Sequence, residues 1–252
     1  KKIGILKMDL DNLGTIFSFG ISDKIKSISR VASLSRNLDM FFGGYLNKIC
    51  DKLYEEWKEE HKDSKDSIIN ELKDNINQIF YITYAGGDDL FIVAPWDYAI
   101  KLAEEIRKEL KRFTGNNPNI DISGGTALIK PKFPIFKGAE MAEKLLEKSK
   151  NNGKGKLTVF GSSIPWDEIK DEKSLCDLLK KSNRYLKLLE SKDINRSIIY
   201  ALYELNKDYY KYLFYSDNDY YKLIDRLYEN SYSEIQYVSV GEYGELLGYF
   251  SG

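Results

Sequence analysis

The stretch Tyr81-Ile82-Thr83-Tyr84-Ala85-Gly86-Gly87-Asp88-Asp89-Leu90-Phe91-Ile92-Val93 restricts the possible folds more than any other part of the chain. Two short β-prone runs flank two glycines and two aspartates. Gly-rich turn residues between such runs predict a hairpin. Gly86 and Gly87 can take positive φ and let a ligand or another backbone come close. Adjacent carboxylates repel each other, so the Asp88–Asp89 pair favours a neutralising cation. Hard divalent ions with oxygen ligands supply one. Aspartate beside glycine is also ordinary turn chemistry, so the motif alone leaves both readings open.

A further carboxylate source lies at the start of the chain. Ile3 to Leu10 is apolar on both faces, as expected for a central strand. It leads into Asp9-Leu10-Asp11-Asn12-Leu13-Gly14. Asp9 is the better ligand candidate because it lies within the strand; Asp11 and Asn12 equally suit turn initiation. Helical spacing follows over 27–60, with Gly43-Gly44 marking close packing or a kink, and a short helix is predicted over 68–79. After the hairpin come a helix over 96–113, a strand over 120–129 interrupted at Ser123-Gly124-Gly125, a helix over 139–149 and a strand over 157–160. The glycines of 124–125 imply a bulge or a close approach. This order predicts an α+β fold, a ferredoxin-like βαββαβ palm with an antiparallel sheet, helices on one face and an added edge strand. In that topology the first and third strands are neighbours, which brings Asp9 opposite Asp88 and Asp89.

Gly161 to Trp166 reads as a boundary, with Ser163 capping and Pro165 opening a new helix. The domains are therefore expected at 1–161 (catalytic palm) and 162–252 (all-helical), with helices over 175–189, 194–214 and 220–227. The tyrosines at 200, 203, 209, 210, 212 and 215 sit at helical spacing and suit a core or interface better than base stacking.

Composition excludes several chemistries. The single histidine, His61, lies in a polar run, which removes a histidine-rich metal site or a His–Asp nuclease motif and disfavours a Ser–His triad. Cys50 and Cys176 are far apart and suit buried thiols in a reducing compartment, so a cytoplasmic location is expected. A net charge of −1 gives no global field for nucleic acid. No apolar run approaches the ~18 residues of a membrane span, and no signal peptide is evident. The abrupt start in a strand-like run implies a fragment of a longer protein.

Three carboxylates on such a sheet suit two-metal phosphoryl transfer, with Mg²⁺ or Mn²⁺ as the ions. Lys150 and Lys154 follow the last palm helix at a glycine-rich turn, where they either reach phosphates or form a solvated loop.

Several motifs appear in order: Met8-Asp9-Leu10-Asp11-Asn12-Leu13-Gly14, Ser29-Arg30 with Leu34-Ser35-Arg36, Phe41-Phe42-Gly43-Gly44-Tyr45-Leu46, Tyr84-Ala85-Gly86-Gly87-Asp88-Asp89 and Ser149-Lys150-Asn151-Asn152-Gly153-Lys154. Over residues 1–161 the chain resembles the second palm domain of the large polymerase-like subunit of type III (Csm-type) CRISPR effector complexes. It is more distantly similar to GGDEF diguanylate cyclases. The tail resembles the same subunit's C-terminal helical domain through less specific motifs.

The resemblance implies synthesis of 3′–5′ cyclic oligoadenylates from ATP when the assembled complex binds target RNA. Asp9, Asp88 and Asp89 would hold the ions, with Asp88 and Asp89 as catalytic residues. Lys150 and Lys154 would bind phosphates; Asn12, Leu13 and Gly14 would line the triphosphate. Ser35, with Phe42, would contact adenine, and Gly86 and Gly87 would leave room for sugar and phosphate. The partners implied are ATP, other subunits of the ribonucleoprotein, and guide and target RNA through the complex, with no membrane. Full-length members carry a first palm that this chain lacks. Two other readings compete. One is a free-standing diguanylate-type cyclase, disfavoured by Asp89 where GGDEF cyclases carry glutamate. The other is an assembly platform for protein subunits and guide RNA, disfavoured by the clustered acids.

Overall fold

The computed structural model describes residues 2–20, 27–73, 79–167 and 173–192, together with residue 197. Two compact units divide the chain, Lys1–Val159 with Ser163–Cys176, and Phe160–Ser162 with Asp177–Gly252.

The first unit is built on a six-stranded sheet. Its strands are β1 (Ile3–Leu10), β2 (Tyr81–Gly86), β3 (Asp89–Pro95), β4 (Ile122–Ile129), β5 (Lys156–Val159) and β6 (Ser162–Pro165), in the spatial order β2-β3-β1-β4-β5-β6. The helices are α1 (Leu13–Phe19), α2 (Ile28–Met40), α3 (Leu46–Glu60), α4 (Ser67–Leu72), α5 (Trp96–Phe113), α6 (Ile135–Asn151) and α7 (Leu175–Glu190). Strand β1 pairs antiparallel with both β3 and β4, so the first and third strands are neighbours as the split βαβ order requires.

The sheet departs from the expected plan in two ways. Strands β4 and β5 run parallel, joined by α6 as a crossover. The helices also cover both faces. Side chains alternate along β1. At Gly4 an added Cβ would lie 2.6 Å from Ala99 Cβ and 2.9 Å from Trp96 Cα, so this position faces α5. The next residue, Ile5, packs with Ala127, Ile129 and Ala142 beneath α6. The reason α6 takes the second face is steric. At Gly125 an added Cβ would stand 2.3 Å from the Leu146 nitrogen and 2.5 Å from the Ala142 oxygen, so the α6 backbone lies directly on the strand. Strand β4 is continuous through this point, and the glycine marks close approach rather than a bulge.

The α5 face holds the larger core. Tyr98, Leu102, Ile106 and Leu110, spaced at four along α5, are 0–1% exposed. Each such side chain contributes roughly 1.5–3 kcal/mol by leaving water. Helices α2 and α3 are joined without a break by a π turn at Phe41–Tyr45. Nothing lies within 4 Å of a Cβ added at Gly43 or Gly44, so these glycines mark the irregular turn rather than tight packing. Burial pushes the Cys50 thiol up to about 12. His61 caps α3 and stacks on Trp57 at 4.7 Å between centroids.

The boundary expected at 161–166 is a strand, not a helix start. Ser163 Oγ lies 2.7 Å from Thr158 Oγ1 and accepts from Asn152 Nδ2 at 2.9 Å. Trp166 is buried and its indole N–H donates to the Ile122 carbonyl at 2.6 Å. These tertiary partners override the local capping signal. Of the helix expected over 68–79, α4 covers Ser67–Leu72 and residues 74–78 lie outside the described residues; α1 is an element the periodicity did not reveal. In the second unit α7 matches the helix read over 175–189; those read over 194–214 and 220–227, with their tyrosines, lie outside the described residues.

Candidate functional site

The antiparallel register of β1 and β3 places Asp9 directly opposite Asp89. Paired residues of neighbouring strands project to the same face. Asp88 lies at the adjoining turn, where its carbonyl accepts from Leu10 N at 2.8 Å. The hairpin turn is Gly87–Asp88, and only its first residue takes positive φ, 65° at Gly87. A two-residue hairpin with glycine there has the II′ pattern; Gly86 supplies no positive φ.

Asp9 is half-buried, and burial is the main reason its carboxyl pKa is raised, with repulsion from Asp88 and Asp89 in the same direction. Lys150, in the last turn of α6, opposes this through an ion pair of 2.6 Å to Asp9 Oδ1. Thus the turn lysine and the strand aspartate, 141 positions apart by number, meet directly. Lys154 Nζ donates to Asn12 Oδ1 at 2.5 Å. Asn12 has φ 60° and precedes α1, whose first residues are the half-buried Leu13 and the exposed Gly14.

Asp11 is placed differently from its neighbour. It is 4% exposed, and the single Ser123 hydroxyl, 2.8 and 2.9 Å from its two oxygens, is shared between them. Gly155 N also donates to its Oδ2 at 3.0 Å. Burial is the largest influence on its pKa, which is raised despite these donors.

The remaining candidates are not all gathered here. Ser35 is exposed on α2. Phe42 is 1% exposed, its ring edge-on to Phe41 with centroids 5.2 Å apart. In this structure Phe42 is a core residue, and its place in the π turn points it inward. Two residues that sequence reasoning did not single out touch the hairpin tip. Asp39 Oδ1, from α2, accepts from Gly87 N at 3.2 Å. The Tyr84 hydroxyl donates to the Gly86 carbonyl at 3.2 Å, and the Asp89 charge raises its pKa. Asp39 carries no spacing signal because it acts through tertiary contact with a backbone amide, whereas Tyr84 is a local partner two residues from Gly86.

Among the described residues no three His, Cys, Asp or Glu side chains are gathered closely enough to hold a metal ion as they stand. The donor chemistry nevertheless fits a hard divalent cation. Asp9, Asp88 and Asp89 offer only oxygen, and positive charge beside them offsets their mutual repulsion. Lys150 supplies that charge here.

Comparison with known proteins agrees with this geometry. Residues 2–158 match the family described as Cas10/Cmr2, second palm domain. The CRISPR system single-strand-specific deoxyribonuclease Cas10/Csm1 (subtype III-A) of Methanocaldococcus jannaschii is 41% identical over 179 residues, covering 66% of this chain and 21% of that protein. Its namesake from Enterococcus italicus is 31% identical over 208 residues, covering 81% and 23%. The chain thus spans about a fifth of the length of these curated relatives. A chain of the Csm1–Csm4 cassette crystallised with AMPPNP is similar with a TM-score of 0.59 and 25% identity, over 82% of this chain and 29% of that one. Among the described residues no helix is long and apolar enough to cross a membrane. With more than half its length matched and the acidic hairpin set against the first strand, the chain belongs to the Cas10/Cmr2 second palm domain family.

Proposed function

We propose that this chain is the nucleotidyltransferase palm of a type III CRISPR effector, making 3′–5′ cyclic oligoadenylates from ATP when the assembled complex binds target RNA. The observation that carries the reading is the meeting of Asp9, Asp89 and Lys150 at one end of the sheet. Acids and a lysine there match the needs of a triphosphate and its counter-ions. AMPPNP, the ligand of the similar cassette, is an ATP analogue of the same chemical class.

Asp9, Asp88 and Asp89 would hold Mg²⁺ or Mn²⁺. Such ions, when bound, lower the pKa of an attacking hydroxyl and neutralise the leaving pyrophosphate. The protein's own part is positioning. Lys150 leaves Asp9 for a phosphate oxygen, an exchange of one anionic partner for another. Lys154 binds a second phosphate from its turn beside Asn12. Asn12, Leu13 and Gly14 line the triphosphate, Ser35 contacts the adenine, and Gly86 and Gly87 leave room for the sugar. The part of the chain that follows the palm joins it to the other subunits, with guide and target RNA reached through the complex. The location is cytoplasmic.

A second reading, an assembly platform, draws on the ungathered acids and on the Lys150 pair that already neutralises Asp9. One experiment separates the two. The full subunit in its complex is given ATP, Mg²⁺ or Mn²⁺ and target RNA. Replacing Asp88 and Asp89 with Ala abolishes oligoadenylate product while assembly persists; unchanged product would leave the platform reading ahead.

A further inference from the structure

We propose that Asp11 is a positioning residue, whose buried carboxylate ties the strand carrying Asp9 to the turn carrying Lys154 and so sets the spacing of the acids and the lysines. This rests on the nucleotidyltransferase reading above.

Strand alternation puts Asp9 and Asp11 on one face, and two acids at that spacing resemble a pair of ion ligands. The fold separates them. Asp9 is open enough to meet Lys150, whereas the Asp11 oxygens are met by two donors, the single Ser123 hydroxyl shared between them and Gly155 N. The Asp11 N–H also donates to the Asp121 carbonyl at 2.8 Å, which fixes the strand end against β4.

The turn needs such an anchor. Gly153, Lys154 and Gly155 take φ of 105°, 64° and 56° in succession. A lysine in the left-handed region is disfavoured, and such a run persists only when its surroundings over-determine it. Here Lys154 N donates to the Ser149 carbonyl at 3.1 Å, Gly155 N to Asp11 Oδ2, and Trp166 N to the Gly155 carbonyl at 3.3 Å. Of these, only the Asp11 contact reaches back to the strand of Asp9. Asn12, the next residue, repeats the link at the side-chain level through Lys154 Nζ.

The residue type is also informative. Every group aimed at the carboxylate is a donor, so the site wants an acceptor on both sides. An ionised carboxylate is acceptor-only, while asparagine presents an N–H₂ on one side. Charge-assisted hydrogen bonds of this kind are about twice as strong as neutral ones.

The test uses the full subunit in its assembled complex. Affinity for a fluorescent, non-hydrolysable ATP analogue, Mn²⁺ binding by electron paramagnetic resonance, and the KM–kcat split for ATP are measured for Asp11→Ala, Asp11→Asn, Ser123→Ala and Asp9→Ala. Expected is a 10–100-fold loss of analogue affinity in Asp11→Ala, of about the size seen when supporting partners of a site are removed. KM rises with it, and Mn²⁺ binding without nucleotide stays at the wild-type level. Asp11→Asn falls between Asp11→Ala and wild type, and Ser123→Ala shows a smaller loss in the same sense. If Asp11→Ala does not fold, the Asn and Ser123 variants carry the test. Loss of Mn²⁺ binding matching Asp9→Ala would make Asp11 a ligand and overturn the proposal. Analogue affinity and KM at wild-type values in all Asp11 and Ser123 variants would overturn it too. A wild-type complex that binds no analogue would instead overturn the nucleotidyltransferase reading, and is seen before any variant is made.

Discussion

The hairpin tip at 86–89 and the lysine turn at 150–155 flank the same end of the sheet, yet they are held by different means. The tip projects from β2 and β3 with Gly87 and Asp89 exposed, and the side-chain bonds on it come from Asp39 and Tyr84. The turn is fastened by buried groups. Ser149 Oγ donates to the Gly124 carbonyl at 2.6 Å and lies 2.6 Å from Thr158 Oγ1, while Asp11 holds Gly155. One wall is free to adjust its charges and the other is preset. Groups that meet a changing ligand belong on the adjustable side; groups that define its location belong on the fixed one.

The largest expected effect tests the division directly. Replacing Asp88 and Asp89 with Ala should lower oligoadenylate synthesis by the complex by on the order of 10²–10³-fold for each stabilising group lost. Thermal unfolding should move by no more than about 0.5 kcal/mol, as for other surface changes. A collapse in Tm would show that the tip is structural after all.

Next in size is Gly125→Ala, which acts on the fixed wall. Its methyl group must displace the backbone of α6 that carries Lys150, with a cost of about 1–3 kcal/mol in denaturant unfolding. Wild-type stability would mean that α6 is not seated on β4 as described.

Charge at the junction of the two walls gives a smaller effect with a definite sign. The folded Asp9 pKa is raised above 3.8, chiefly by burial, so its ionised form is less favourable in the folded chain than in the unfolded one. Its contribution to stability is present below pH 3.8 and is lost as pH rises through the displaced value. Asp9→Asn should therefore raise Tm at pH 7 and leave it nearly unchanged at pH 3.5. A lower Tm at pH 7 would show that the Lys150 pair outweighs burial.

The smallest change is expected from Asp39→Ala, about 0.5 kcal/mol or less in global stability. Its signature is local. Hydrogen exchange at the Gly87 amide should quicken while β1 amides keep their protection, and equal quickening in both would erase the distinction between the walls.

Legibility in the sequence follows the same division. The central strands, α5 and the opposition of Asp9 to the acidic hairpin were readable because each rests on periodicity or on topology that allows few alternatives. Lys150 was readable as a position and not as a partner of Asp9. The role of Asp11 was undecided, because turn initiation and burial use the same residue types. The burial of Phe42 was not legible, because an aromatic beside two glycines gives no sign of which way a π turn points it. Strand β6 was missed because Ser163 and Pro165 carry a strong local signal that Thr158 and Asn152 override through space.

The π turn between α2 and α3 has a consequence for how the two walls stay matched. Each residue of an α-helix turns the chain by about 100°, so the extra residue resets the angular phase of α2 relative to α3. The π turn places this residue between Phe41 and Leu46, which are both buried. Helix α3 can therefore keep Leu46, Ile49 and Leu53 in the core while α2 aims Asp39 at the Gly87 amide. Removing one of the two glycines would merge the phases and swing Asp39 away from the tip, uncoupling the hairpin from the helix without touching either.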